Sequence, residues 1–125
     1  MGGTVKAVFD TNILIDYLNG IEAAKAELAR YRDRQISIIT FIEVMVGAKD
    51  AAEEKAIRGF LSSFETVDLC AEIAKETVEV RKELRLKIPD AIVYATARTQ
   101  GCLLVSRNTK EFKPEWPDIR VPYSI

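Results

Sequence analysis

The chain reads as an α/β protein, a three-layer α/β/α sandwich around a central parallel sheet of four to five strands. Three observations predict this. Short apolar runs alternate with amphipathic helical stretches along the chain. No internal repeat, low-complexity tract or linker breaks that alternation. A length of 125 residues with 48% hydrophobic content suits a single compact domain spanning 1–125.

Taken in order, Val5 to Phe9 reads as the first strand. Residues 12–18 follow as a short helix with Ile13, Leu14, Tyr17 and Leu18 apolar, stopped by Asn19-Gly20. Residues 21–33 are an amphipathic helix, Ile36 to Ile39 a short buried strand, and 41–48 a helix. Residues 51–64 place Ile57, Phe60, Leu61 and Phe64 on one helical face. Thr66 to Leu69 is the third strand. Residues 71–86 form a helix with Ile73, Thr77, Val80 and Leu84 aligned. Pro89 opens a helix over 90–99 that Gly101 ends. Leu103 to Ser106 is the fourth strand and Ile119 to Val121 the fifth.

Composition narrows the chemistry. There is no His, which removes imidazole acid/base catalysis, His metal ligands and Ser-His-Asp or Cys-His arrangements. Cys70 and Cys102 form no CxxC motif, so neither a disulfide framework nor a structural zinc site is expected, and Cys102 reads as a small buried residue. Basic and acidic residues number 18 and 19, a net charge of -1, so no whole-protein positive field draws nucleic acid. No apolar run approaches membrane-spanning length and the start does not read as a signal peptide, which makes the cytoplasm the expected compartment.

Parallel α/β sheets bind ligands beyond the carboxyl ends of their strands. Acids fall there. Asp10 ends the first strand, Glu43 follows the second, Asp90 opens the helix before the fourth, and Glu111 follows the fourth. Asn12 and Ser106 add uncharged oxygens. Each acid also has a structural reading. Asp10 suits an N-cap, Thr40-Phe-Ile-Glu43 fits a capping box, Asp90 after Pro89 complements a helix dipole, and Glu111 suits a solvated turn. Together, converging carboxylates repel, and a divalent cation resolves that conflict. An all-oxygen set without His or Cys suits Mg²⁺ or Mn²⁺. The implied chemistry is metal-assisted attack of water on a phosphodiester.

These residues resemble a known family. Asp10-Thr11-Asn12, Thr40-Phe-Ile-Glu43, Ile88-Pro-Asp90-Ala-Ile, Tyr94-Ala-Thr-Ala97 and Ser106-Arg-Asn-Thr-Lys-Glu111-Phe112 occur in the order and spacing of the PIN domain, and resemble most the VapC-type toxins of prokaryotic toxin–antitoxin pairs. The resemblance covers nearly the whole chain from Val5. It implies Mg²⁺- or Mn²⁺-dependent endoribonuclease activity, homodimerisation and a cognate VapB-type antitoxin. It carries over Asp10, Glu43 and Asp90 as metal-holding and catalytic acids, with Asn12, Ser106 and Thr11 in support. Glu111 stands where the family commonly has Asp, and Lys87-Ile88-Pro89 stands where some members carry a further acid.

RNA contacts are expected from the basic run Arg81 to Lys87, Arg85 and Lys87 in particular, and from Arg107 and Lys110 beside Glu111. A solvated helix face or an antitoxin contact is the competing reading of these charges. Tyr31, Ile57, Phe60 and Phe64 read as core, with a partner groove or dimer contact as the alternative. Three other functions compete. A dehalogenase-like phosphatase wants a second Asp where Asn12 stands, and a receiver domain wants an acidic pair that is absent. A PIN-like binding module without activity is compatible with every residue present.

Overall fold

The computed structural model describes residues 6–125; Val5, the expected start of the first strand, lies outside them. The chain runs β1 (Lys6–Phe9), α1 (Thr11–Leu18), α2 (Glu22–Ala29), β2 (Asp33–Ser37), α3 (Ile38–Val46), α4 (Ala51–Leu61), β3 (Glu65–Val67), α5 (Ala71–Leu84), α6 (Ile88–Gln100), β4 (Leu103–Val105) and β5 (Ile119–Arg120). The five strands form one parallel sheet in the order β3-β2-β1-β4-β5. Strand order therefore reverses between β1 and β4, and that is the point at which such sheets open a crevice.

The sheet divides two apolar cores by the period-2 alternation of its strands. Ala7 and Phe9 face one side, where they pack with Ile13, Leu14, Leu28, Ile57 and Leu61 from α1, α2 and α4. Val8 faces the other, against Ile73 and Val80 of α5 and Ala91, Val93 and Tyr94 of α6. Val105 and Leu104 of β4 repeat the split. Phe9 is fully buried and meets Tyr31 and Phe64 edge-to-face. Burying such a ring contributes roughly 1.5–3 kcal/mol. Both faces are covered, which is why β1 and β4 read as continuous apolar runs.

Several boundaries differ from the sequence expectation. The helix expected over 21–33 ends at Ala29, because Asp33 to Ser37 forms β2. That strand is polar over its first three residues. Its buried Gln35 donates to Glu65 Oε1 of β3 (3.0 Å), so side-chain pairing replaces the apolar run usual in a central strand. Ile38 and Ile39, expected to end the strand, instead open α3. Ser37 is its N-cap and accepts from the Ile39 amide (3.0 Å). Thr40 and Glu43 therefore lie within α3 and form no capping box. The helix expected over 51–64 stops at Leu61, β3 is Glu65–Val67, and Cys102 is half-buried. Tyr31, Ile57 and Phe64 are buried core, as their apolar spacing suggested, and Phe60 packs against that core half-buried. Gly101 caps α6 at φ +68°, a left-handed conformation that costs glycine little. No helix among the described residues is long and apolar enough to cross a membrane.

Candidate active site

Asp10 sits at the carboxyl end of β1, between strand and helix. Its amide donates to the Val105 carbonyl of β4 (2.9 Å). It is the N-cap of α1, with Oδ1 accepting from the Thr11 amide (2.8 Å). That contact occupies one carboxylate oxygen. The other, Oδ2, accepts from Asn12 Nδ2 (3.0 Å) and from the Ser106 hydroxyl (2.8 Å). Asn12 also donates to Ser106 Oγ (3.2 Å), and the Asn108 amide donates to the same oxygen (3.0 Å). Asp10 is 5% exposed. Burial raises its pKa above the ordinary carboxylate value, and the Glu43 charge adds to the rise. Bonds from Ser106, Thr11 and Asn12 oppose it.

Glu43 approaches from α3. The Thr11 hydroxyl donates to its Oε1 (2.5 Å) and lies 3.2 Å from the Thr40 hydroxyl. Thr11 thus ties the first turn of α1 to α3. Asp90 stands in the first turn of α6, half-buried, with its pKa raised to about 6. Burial is the largest cause, followed by the charges of Asp10, Glu111 and Glu43; Lys87 opposes them weakly. Glu111 lies in the turn after β4, where its amide donates to Asn108 Oδ1 (3.3 Å). All four acids thus act within one electrostatic neighbourhood at the β1/β4 crevice.

Asn12, Ser106 and Thr11 all donate to Asp10 or Glu43, and the basic residues divide. Lys87 is the N-cap position of α6 and Lys110 follows β4; both are exposed. Arg85 is exposed and adopts a left-handed backbone, φ 60°, that ends α5. Arg107 is instead committed to a side chain of α1: Nε donates to Asp16 Oδ2 (2.6 Å) and Nη2 to Asp16 Oδ1 (2.9 Å). Asp16 and its second partner, Tyr123, did not stand out in the sequence. The one signal was a charged residue on an apolar helical stretch, with nothing local to name its partner.

The donor set fits a hard divalent cation. It is all oxygen, and neighbouring carboxylates add to the raised proton affinity of Asp10 and Asp90. Among the described residues no three acids already form a closed ligand cluster. Water would complete the coordination, as is usual for such ions.

The family model of the PIN domain matches residues 7–113. A tRNA(fMet)-specific endonuclease VapC of Shigella flexneri is 32% identical over 120 residues, covering 87% of this chain and 91% of its own. A toxin–antitoxin complex from Klebsiella pneumoniae contains a chain 44% identical in sequence, with a TM-score of 0.90, covering 96% of this chain and all of its own. The DNA-bound VapBC of Salmonella typhimurium is 28% identical with a TM-score of 0.76, covering 94% and 96%. With a family model spanning residues 7–113 and a VapC relative 32% identical over most of the chain, this chain belongs to the PIN domain family, alongside the VapC nucleases.

Proposed function

We propose that this chain is a Mg²⁺- or Mn²⁺-dependent endoribonuclease, the toxin of a VapBC-type pair. It acts on RNA in the cytoplasm as a homodimer and is restrained by a VapB-type antitoxin. One observation carries the catalytic part: Asp10, Glu43 and Glu111 act on Asp90 in one crevice, where with burial they raise its pKa to about 6, and Lys87 opposes them only weakly. Family membership and the VapC relatives support the reaction class.

Asp10, Glu43 and Asp90 would hold the ion, with Glu111 reaching it through water. A bound ion of this type lowers the pKa of its water and neutralises charge developing on the phosphate oxygens. Asn12 and Ser106 keep Asp10 Oδ2 aimed and favour its ionised form by donating to it. Thr11 holds Glu43 against α1. The exposed Lys87, Lys110 and Arg85 would meet phosphates of the RNA backbone, which positions the strand without reading its bases. A groove between α1, α3 and α4, lined by Ile15, Leu18, Val44 and Ile57, suits an apolar antitoxin segment.

A second reading, a PIN-like binding module without activity, draws on the absence of a closed three-acid cluster among the described residues. Cleavage of total cellular RNA separates the two. Purified chain with Mg²⁺ or Mn²⁺ is expected to give fragments that chelator abolishes and that Asp10→Asn does not give. No fragments with either metal, from folded and antitoxin-free protein, would favour the binding module.

A further inference from the structure

Two buried acids in this chain are clamped in the same manner. Asp16 of α1 accepts both bonds of the Arg107 guanidinium and a bond from the Tyr123 hydroxyl (2.8 Å). Glu27 of α2 accepts both bonds of Arg120 (2.6 and 3.0 Å) and one from the Tyr31 hydroxyl (3.0 Å). Asp16 is 5% exposed and Glu27 4%. Each is a forked arginine–carboxylate pair with a tyrosine on the spare lone pair, a geometry that makes a buried pair tolerable.

What differs is where the arginine leads. The Arg107 amide donates to Asn12 Oδ1 (3.0 Å), and that contact turns the Asn12 amide group so that its Nδ2 faces Asp10 Oδ2 and Ser106 Oγ. Arg107 also lies between Ser106 and Asn108, both bonded within the same network. Holding the guanidinium on α1 therefore holds the 106–108 turn on the first turn of α1. Arg120 has no such link. Its carbonyl accepts from the Ser106 amide (3.0 Å), but β4–β5 pairing maintains that ladder bond without the side chain.

We propose that Asp16, completed by Tyr123, is a positioning residue of the nuclease site. It clamps Arg107, whose amide orients Asn12 and through it the carboxylate of Asp10 at Oδ2. Asp16 touches neither the acids nor the crevice they form, so its effect is transmitted through one backbone amide. This inference rests on the nuclease reading for its catalytic consequence, and on geometry alone for its effect on Asp10. It also removes Arg107 from the residues free to grip RNA.

The Glu27 clamp is the internal control. Asp16→Asn and Glu27→Gln each weaken a buried clamp by the same chemical change, and both should lower the melting temperature. Only Asp16→Asn should lower Mn²⁺ affinity, measured by calorimetry on the folded protein, by about tenfold, the low end for groups bonded directly to a metal ligand, since Asp16 acts on Asp10 through Arg107 and Asn12. RNA cleavage should follow in kcat, with KM little changed, and Asp16→Glu should recover part of it. In the metal-free protein, hydrogen exchange at the Arg107 amide should quicken in Asp16→Asn and not in Glu27→Gln. Equal losses of Mn²⁺ affinity in the two variants, or none in either, would overturn the proposal. A wild-type chain that binds Mn²⁺ but cuts no RNA would count against the nuclease reading, and the Mn²⁺ affinities would still decide the role of Asp16.

Discussion

Two sets of acids are drawn into this small protein, and they are treated in opposite ways. Asp16 and Glu27 are buried beside arginines, which with tyrosine hydroxyls hold their pKa values below the ordinary range despite the cost of desolvation. Asp10 and Asp90, at the β1/β4 crevice, are pushed upward by burial and by neighbouring carboxylates, Glu43 on Asp10 and Asp10, Glu111 and Glu43 on Asp90. The first set is neutralised within the fold. In the second, Asp10 has neutral donors from Asn12, Ser106 and Thr11, and Asp90 feels only the weak opposing charge of the exposed Lys87. A fold that supplies arginines to two buried acids and withholds them from a third has left a positive charge to come from outside. The contrast marks the site more sharply than any single motif.

The comparison can be broken most severely at Asp10. Asp10→Asn keeps the shape and much of the cap but loses the charge. Cleavage should fall on the order of 1000-fold, because several kcal/mol of charge stabilisation is lost at tenfold per about 1.4 kcal/mol. Single-turnover RNA cleavage checks this, with circular dichroism to confirm the fold. On the neutralised side, Asp16→Ala leaves Arg107 without its partner. The stability loss should approach about 3 kcal/mol, the lower end for a broken buried pair, since Arg107 is partly exposed. Urea unfolding measures it.

Acid titration should separate the two sets by sign. Asp90 binds protons more tightly when folded, so ionising it opposes folding. In metal-free protein its contribution makes stability fall as pH rises from its ordinary 3.8 toward about 6, and stay flat above. Asp16 and Glu27 bind protons less tightly when folded. Their contribution is present above the ordinary carboxylate values and is lost as pH falls through the lowered folded values. Asp90→Asn should therefore raise the melting temperature of metal-free protein at pH 7 by a few degrees and remove the fall between about pH 4 and 6. Melting curves across pH, with and without Mn²⁺, test both signs. The smallest effect belongs to the exposed cations. Lys110→Ala or Lys87→Ala should weaken RNA binding modestly and lower the slope of log affinity against log salt by about 0.7 each, as expected for one phosphate contact on a single strand. An unchanged slope would remove that lysine from the RNA path.

Much of the fold could be read along the chain, and the misread places share a cause. β1 and β4 were legible because a parallel strand covered on both faces must be apolar throughout. Only the end of β2, Ile36 and Ser37, was legible, because Asp33-Arg34-Gln35 carries no apolar signal and becomes a strand only by pairing with β1 and β3. Once β2 starts at Asp33, Ser37 becomes the cap of α3 and Thr40 turns inward toward Thr11, a contact that the capping-box spacing disguised. Arg107 was misread for a related reason. A basic residue beside a candidate site looks available until a buried acid 91 positions away is found to hold it.

What the sequence by itself determined is the part fixed by local chemistry: alternating elements, the apolar strands, the cap at Asp10, the Pro89 and Gly101 boundaries of α6, and an all-oxygen set of acids in family order. Only the tertiary structure decided which charges remain free. Whether a carboxylate is neutralised depends on which arginine the packing brings within about 3 Å, because ion-pair strength and desolvation both change steeply over that range. Asp10 and Asp16 are six positions apart on one strand–helix unit, and nothing local says which of them meets an arginine. The return of β4 and the turn after it brings Ser106 to one and Arg107 to the other.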